Sequence, residues 1–516
     1  MIQEKMVRVF FFILSILVAG CGPNQGHIPT PPANTTPFDA KITLNLAETS
    51  PVNRMILGNN VQWVDRGDEL LQGNTLNLSA DKVQKAKKMG VTVLRYPGGS
   101  LSDLYHWKDG MGPISKRKRN KRFDGEGDDQ VLLGTVEFLT FAKSVGAEPL
   151  ITVNMATGTP QEAADWLKAV NITGMKDDKG NPLPRVKYWE IGNEPYLVGH
   201  VRKELAMEPE EFARRANATI KAMKAVDPSI VVGLPLRSDK LGVMPATPMQ
   251  GFNDKVLGAM KEPFEYVALH NAYFPFSYEN VTNVNSLYLS VMSSGKFVKQ
   301  DIEYTLGMLN KYFPGKKFGV AITEYNAFFT MGQGSTDGLI SSLIGAIYVA
   351  DLLTLFAGMD EVMMANFWSL SGNWHFGAIR QDGQLRPAYY VLEGFNRVLN
   401  GEKVGCRIDA ATFKGAKVGF IPHTDGNSSI AAVFTRNKGK IMAFVLNKNI
   451  GREAKLAIEI PGQQKIKSIK IQTLTSDSFQ ADQVSIPGWS PFKSLPVDQP
   501  VAISPHSAAI FEIELG

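Results

Sequence analysis

Two short runs put carboxylates where they can react. They are Tyr188-Trp189-Glu190-Ile191-Gly192-Asn193-Glu194-Pro195 and Ile322-Thr323-Glu324-Tyr325-Asn326. Glu194 and Glu324 each follow an apolar stretch that reads as a buried strand, the place where barrel enzymes keep their polar reacting groups. A carboxylate pair facing across a barrel mouth can flank a sugar C1 at about 5 Å, the separation used by retaining glycosidases. One carboxylate then attacks as the anion while the other holds a proton for the leaving oxygen. That division of labour requires surroundings that push the two pKa values apart. Glu190, inside its strand, reads instead as a salt-bridge partner, and Asp103 as a residue that caps or holds a loop.

Positioning such a pair takes a scaffold, and the sequence supplies one. Eight short apolar runs recur at Met55–Val61, Val91–Tyr96, Glu148–Asn154, Val186–Ile191, Ile230–Leu234, Tyr266–His270, Phe318–Thr323 and Val362–Trp368. Between them lie amphipathic stretches, among them Ala80–Met89, Leu133–Val145 and Pro209–Val226. Strands alternating with helices predict an α/β fold, a (β/α)8 TIM barrel over residues 54–398. After Leu399 the pattern changes to strands alone, as in Ile430–Phe434, Lys440–Leu446, Ala454–Ile460 and Ala508–Ile513, which predicts a C-terminal β-sandwich domain over 399–516. The early run Ala40–Leu46, within 39–53, is expected to join that sandwich.

Composition agrees with two large cores. In 516 residues, 44% are hydrophobic and 47 Gly with 29 Pro supply turns, which excludes disorder and collagen. Fifty-five Lys and Arg stand against 50 Asp and Glu, a formal charge of +5. That excess is too small to imply a nucleic-acid partner. The basic run Lys116–Arg122 is expected to be a solvated loop, since Asp124, Glu126, Asp128 and Asp129 follow it. The seven His are dispersed and no HExxH or paired-Cys pattern occurs, so no metal and no cofactor is expected.

At the N-terminus, Lys5 and Arg8 precede an apolar run, Val9–Ala19, too short to span a bilayer. It ends in Leu17-Val18-Ala19-Gly20-Cys21, which resembles the lipobox of bacterial lipoproteins. Residues 1–20 are therefore expected to be a signal peptide and Cys21 the lipidated first residue of the mature chain. Residues 21–38, polar and Pro-rich, read as a flexible tether. The expected product is an exported bacterial lipoprotein, anchored in a membrane and facing periplasm or cell surface. Cys406 is the other cysteine, so no intramolecular disulfide is possible once Cys21 is lipidated.

The ordered motifs also carry a family resemblance. Asn193-Glu194 after strand four and Glu324 after strand seven resemble the catalytic residues of the clan A retaining glycoside hydrolases. Leu94-Arg95-Tyr96-Pro97-Gly98-Gly99, Tyr105-His106-Trp107, Val153-Asn154-Met155-Ala156-Thr157-Gly158-Thr159 and the terminal Pro505-His506-Ser507-Ala508-Ala509-Ile510 are most similar to family 51, the α-L-arabinofuranosidases. The resemblance implies Glu194 as acid/base, Glu324 as nucleophile and Asn193 as a partner of the sugar 2-hydroxyl. It implies that Arg95 orients Glu324 and that Tyr273 touches it. Asn154, His270 and Trp368 would line the sugar-binding end of the cleft, with Trp107 in a loop beside it. The implied partner is a carbohydrate; whether copies of the chain associate is left open.

The chain also departs from that family. Where the family carries Glu-His after strand one, this sequence has Gly58-Asn59-Asn60-Val61-Gln62-Trp63, and Glu194-Pro195-Tyr196 resembles families 39, 5 and 30 of the clan. A β-xylosidase, an endo-β-glucanase, an endo-xylanase and a non-catalytic glycan-binding lipoprotein are the alternatives these departures leave.

Overall fold

A computed structural model describes residues 35–123, 125, 127–198, 203–239, 249–277, 281, 283–330, 337–372, 375–419, 421–462 and 464–516. Cys21 and the expected signal peptide lie outside the described residues.

Eight parallel strands close into a barrel. In order they are Gly58–Asn60, Val93–Tyr96, Glu148–Val153, Tyr188–Ile191, Val231–Pro235, Tyr266–Leu269, Gly319–Thr330 and Val362–Phe367. Each pairs with the next, and the eighth returns to the first, Asn366 beside Gly58 and Phe367 beside Asn59. Such strands are buried inside by one another and outside by helices, so they read as continuous apolar runs rather than alternating ones. Three strands differ from expectation. The first is short, because Arg54–Leu57 forms a 3-10 turn capped by Asn53, whose side chain accepts from Met55 N. The sixth ends at Leu269, and after His270-Asn271 the chain resumes as a strand, Ala272–Ser277. The seventh runs on to Thr330, pairing first with the sixth and then with that resumed strand, Tyr273 beside Asn326.

Local chemistry sets the helix limits. Ala80–Met89 starts at Ser79, whose hydroxyl accepts from Lys82 N, and stops at Gly90 in the left-handed region at φ +80°. Pro209 opens Pro209–Val226, where a missing N–H costs nothing. Leu343–Ala357 carries apolar residues all round, with Asp351 its one charge, because it lies between the barrel and a second sheet.

That second sheet is mixed and nine-stranded, and the early strand Phe38–Pro51 lies within it. It runs antiparallel to Glu402–Ala410 and parallel to Ala454–Glu459. In its central strands Lys440–Asn447 and Ser507–Leu515, alternate residues bury in opposite directions. Ile441, Ala443, Val445, Ala509, Phe511 and Ile513 fill the interior of the β-sandwich. Phe444, Leu446, Ala508 and Ile510 join the large core that includes the barrel helices. A TIM barrel with a C-terminal β-sandwich is thus the architecture, as the alternation of elements predicted. The basic run is not a simple solvated loop: Arg117 is buried and paired with Glu137 at 2.7 Å, and Arg119–Lys121 forms a strand antiparallel to Asp128–Gln130 with Asn120 buried.

Candidate active site

The carboxyl ends of barrel strands two, four, six and seven deliver one polar cluster. Arg95, fully buried near the end of strand two, is its hub. Its Nε donates to Glu190 Oε2 at 2.6 Å and its Nη1 to Glu324 Oε1 at 2.8 Å. Nη2 reaches Asn193 Oδ1 at 2.8 Å, and Nη1 also reaches Asn60 Oδ1 at 3.1 Å. A guanidinium presents a fixed planar fork of donors, so one residue orients two carboxylates and two amides. Burial opposes the charge on Arg95, but Glu190 and Glu324 outweigh it and hold the guanidinium protonated, above its ordinary value.

Glu324 receives a second donor, the Tyr273 hydroxyl at 3.0 Å on Oε2. Burial pushes its carboxyl above the usual range, while His270, Arg95 and the Tyr273 hydrogen bond pull it back toward ionisation. Glu194 is more open, its side chain 19% exposed. Its backbone sits at φ +42°, a left-handed conformation uncommon for a residue with a side chain. The preceding Gly192 has φ +81°, and a Cβ there would lie 2.8 Å from Met155. The buried Asp103 carboxylate fixes this turn by accepting from Met155 N at 2.7 Å and Asn193 N at 3.1 Å. Burial raises Asp103 to about 7.

His270 links the two glutamates. Its Nδ1 is 2.9 Å from Glu194 Oε1 and 3.9 Å from Glu324 Oε2. Those oxygens therefore lie no farther apart than the two contacts laid end to end, about 6.8 Å. Asn193 meets Arg95 through its oxygen and leaves its buried Nδ2 without a protein partner. Trp368 stands at the end of strand eight. A Cβ on Gly99 would meet Glu324 Oε1 at 2.8 Å and the Trp368 ring at 3.2 Å, so the bare Gly99 leaves room between carboxylate and indole.

The structure thus brings Glu194, Glu324, Asn193, Arg95, His270, Tyr273 and Trp368 together. It uses two others differently. Asn154 spends its side chain on its own loop and the loop after strand two, donating to Thr157 Oγ1 and Tyr105 O and accepting from Thr157 N and Gly158 N. Trp107 is buried, stacked on Trp166, with Nε1 donating to Glu162 O at 3.2 Å. Both hold the loops around the cluster.

Residues not singled out in the sequence also enter. Asn60 accepts from Arg95 and donates to Thr323 O at 2.9 Å. Thr323 bridges His270 and Glu190, at 3.0 and 3.2 Å. Their one sequence signal is a polar residue at the end of an apolar run. Gln62, at the position where a carboxylate was expected, donates to Asp68 Oδ2 at 3.1 Å.

Comparison with known proteins points the same way. Residues 85–240 match the family described as "Alpha-L-arabinofuranosidase 1 domain". Alpha-L-arabinofuranosidase C of Emericella nidulans is 35% identical over 32% of this chain and 33% of its own length. The match thus spans about a third of the length of that curated relative. An intracellular exo-alpha-(1->5)-L-arabinofuranosidase of Streptomyces lividans is 22% identical over 74% of this chain and 59% of its own. Among solved structures, the alpha-L-arabinofuranosidase of Thermotoga maritima in its arabinose complex superposes with a TM-score of 0.75 at 23% identity, covering 92% of this chain and 100% of that one. The fold is that of the family 51 arabinofuranosidases, and the similarity expected from the motifs is borne out.

Proposed function

We propose that the chain is a retaining glycoside hydrolase that releases α-L-arabinofuranosyl groups from arabinan- or xylan-type polysaccharides or their oligosaccharides. The observation that carries this reading is the spacing of Glu194 and Glu324. A cap of about 6.8 Å on these two oxygens admits the retaining separation of about 5–5.5 Å and lies below most of the inverting range of about 6.5–9.5 Å. The arabinofuranosyl assignment rests on the likeness to the relatives named above.

In this reading Glu324, ionised beside Arg95 and Tyr273, attacks C1 as the Glu194 proton passes to the leaving oxygen. A glycosyl ester forms on Glu324. Glu194, now a carboxylate, takes a proton from water, and that water's oxygen attacks C1 and releases Glu324. The free Nδ2 of Asn193 is available to the sugar 2-hydroxyl, a contact that strengthens in an oxocarbenium-like transition state.

The test is product stereochemistry. Proton NMR during hydrolysis of 4-nitrophenyl α-L-arabinofuranoside is expected to show the α-anomer first, with Glu194→Gln and Glu324→Gln folded but inactive on oligosaccharides. First appearance of the β-anomer would overturn the mechanism. Release only from a β-xyloside or β-glucan would move the substrate assignment to a neighbouring family of the clan.

The leader supports a second part of the proposal: residues 1–20 are removed and Cys21 is lipidated, which anchors the enzyme facing periplasm or cell surface. Fractionation of cells expressing Cys21→Ser is expected to move the protein out of the membrane fraction.

A further inference from the structure

A continuous chain of hydrogen bonds joins the two glutamates through the barrel interior. It runs from Glu194 to His270 Nδ1, from His270 Nε2 to Thr323 Oγ1, from Thr323 to Glu190 Oε1, and through Arg95 to Glu324. Its donors are ordered by chemistry. Glu190 is a carboxylate gripped by Arg95 and can only accept, so the Thr323 hydroxyl donates to it. The Thr323 oxygen then faces His270 as an acceptor, and His270 must keep its proton on Nε2 to meet it.

That leaves Nδ1, 2.9 Å from Glu194. With Nε2 carrying hydrogen, a bare Nδ1 facing an ionised carboxylate would be repulsive. One further proton between Nδ1 and Oε1 removes the conflict, either as the Glu194 acid donating to Nδ1 or as the imidazolium donating to Glu194. We infer that Thr323, held by Glu190, fixes His270 as an Nε2–H donor and so makes the Glu194–His270 pair retain the proton that the leaving oxygen needs. Thr323 and Glu190 are positioning residues in this scheme, acting through His270. The inference rests on the reading of Glu194 as the general acid.

The surroundings of His270 are consistent with it. Facing it or its partners are Glu194, Glu324, Arg95, Glu190 behind Thr323, and the phenols Tyr273 and Tyr196. Although burial opposes a charged ring, Glu324 and Glu194 raise His270 above its ordinary value. Without the Thr323 hydroxyl, the neutral ring is free to carry its proton on Nδ1 and donate to an ionised Glu194. The extra proton is then lost at lower pH.

Thr323→Val keeps the shape and removes the hydroxyl, and Thr323→Ser keeps the hydroxyl. Thr323→Val is expected to lower the basic limb of the kcat/KM profile by about one pH unit and to slow arabino-oligosaccharide hydrolysis at least about tenfold. It should slow 4-nitrophenyl α-L-arabinofuranoside, whose leaving group needs little protonation, far less than the oligosaccharide. Thr323→Ser should restore the oligosaccharide rate and the limb. An unchanged limb and leaving-group ratio in Thr323→Val, or equal impairment in Thr323→Ser, would overturn the inference while the parent's activity left the enzyme reading intact. A parent inactive on both substrates would sink both. Should Thr323→Val fail to fold, nitrogen-15 histidine spectra of the parent decide: His270, assigned by its loss in His270→Gln, must carry hydrogen on Nε2. A neutral ring with hydrogen on Nδ1 alone would refute the scheme.

Discussion

In the proposed mechanism Glu324 attacks as an anion, yet burial and the neighbouring Glu194 favour its protonated form. Arg95, His270 and Tyr273 supply the opposing pull, and the net displacement is upward from the usual carboxylate range. A nucleophile with a raised pKa ionises later as pH rises, so the acid limb of kcat/KM should stand above the ordinary Glu value of about 4.3. Tyr273→Phe removes a hydrogen bond to the charged form and should move that limb further up. It should also lower kcat by roughly 10- to 100-fold, since a charge-assisted bond contributes about 1.5–3 kcal/mol. A pH series of initial rates for parent and variant checks both, and a limb moving downward would contradict the assigned role of the phenol. At this scale the sequence was legible wherever a residue type carried its own chemistry. Glu194, Glu324 and Arg95 announced themselves at strand ends. Asn60 and Thr323 did not, because an amide or hydroxyl ending a strand serves barrel packing as often as catalysis. Asn154 and Trp107 were in the right loops, but which way a loop side chain turns depends on partners such as Thr157 and Glu162 that spacing does not reveal.

The element with the least support from its own backbone is the turn after strand one. Asp65, Arg66, Gly67, Asp68 and Glu69 all have positive φ, between 49° and 71°, a left-handed turn that only Gly67 adopts freely. Each residue with a Cβ costs about 1–2 kcal/mol there. The offsetting bonds come from outside the turn: Asp129 accepts from Asp65 N at 2.8 Å, Arg122 pairs with Asp65 at 3.0 Å, and Ser371 Oγ donates to Asp68 O at 2.9 Å. Loops after strands one, two and eight therefore hold one another. The turn buries Asp68 against Gln62, and burial raises its carboxyl to about 7. The folded form holds the Asp68 proton after the unfolded chain has lost it, so this residue's share of stability falls as pH rises toward 7. Asp68→Asn keeps an oxygen for Gln62 and has nothing to ionise. Its melting temperature should gain on the parent's by several degrees at pH 8 and by less at pH 5, measured by calorimetry. Equal differences at both pH values would mean that Asp68 is ionised in the fold. Eight strands and the helices Ala80–Met89 and Pro209–Val226 were readable because burial and capping are written locally. The left-handed turn and the break at His270-Asn271 were not, since both are imposed by distant contacts.

Across the whole molecule, barrel and β-sandwich share one apolar core. Phe395 of helix Pro387–Val398 stacks on Phe444 with ring centroids 4.1 Å apart, and Leu343 N and Ile344 N donate to Ala481 O and Phe479 O. An ion pair crosses the same boundary. Lys448 Nζ lies 2.9 Å from Asp351, with both side chains about one-tenth exposed, and it also donates to Met292 O. A pair so enclosed adds little net stability compared with apolar residues of the same volume, but removing one member strands the other charge at a cost of up to about 3–5 kcal/mol. Lys448→Met should therefore lower the melting temperature more than the double variant Lys448→Met with Asp351→Leu. Because the apolar boundary is continuous, the parent should unfold in one calorimetric transition. The single variant, weakened at the boundary alone, is the form in which the transition should broaden or split. If parent and both variants each gave two well-separated transitions, the two folds would be independent units. The site at the barrel mouth would then owe nothing to the sheet packed behind it.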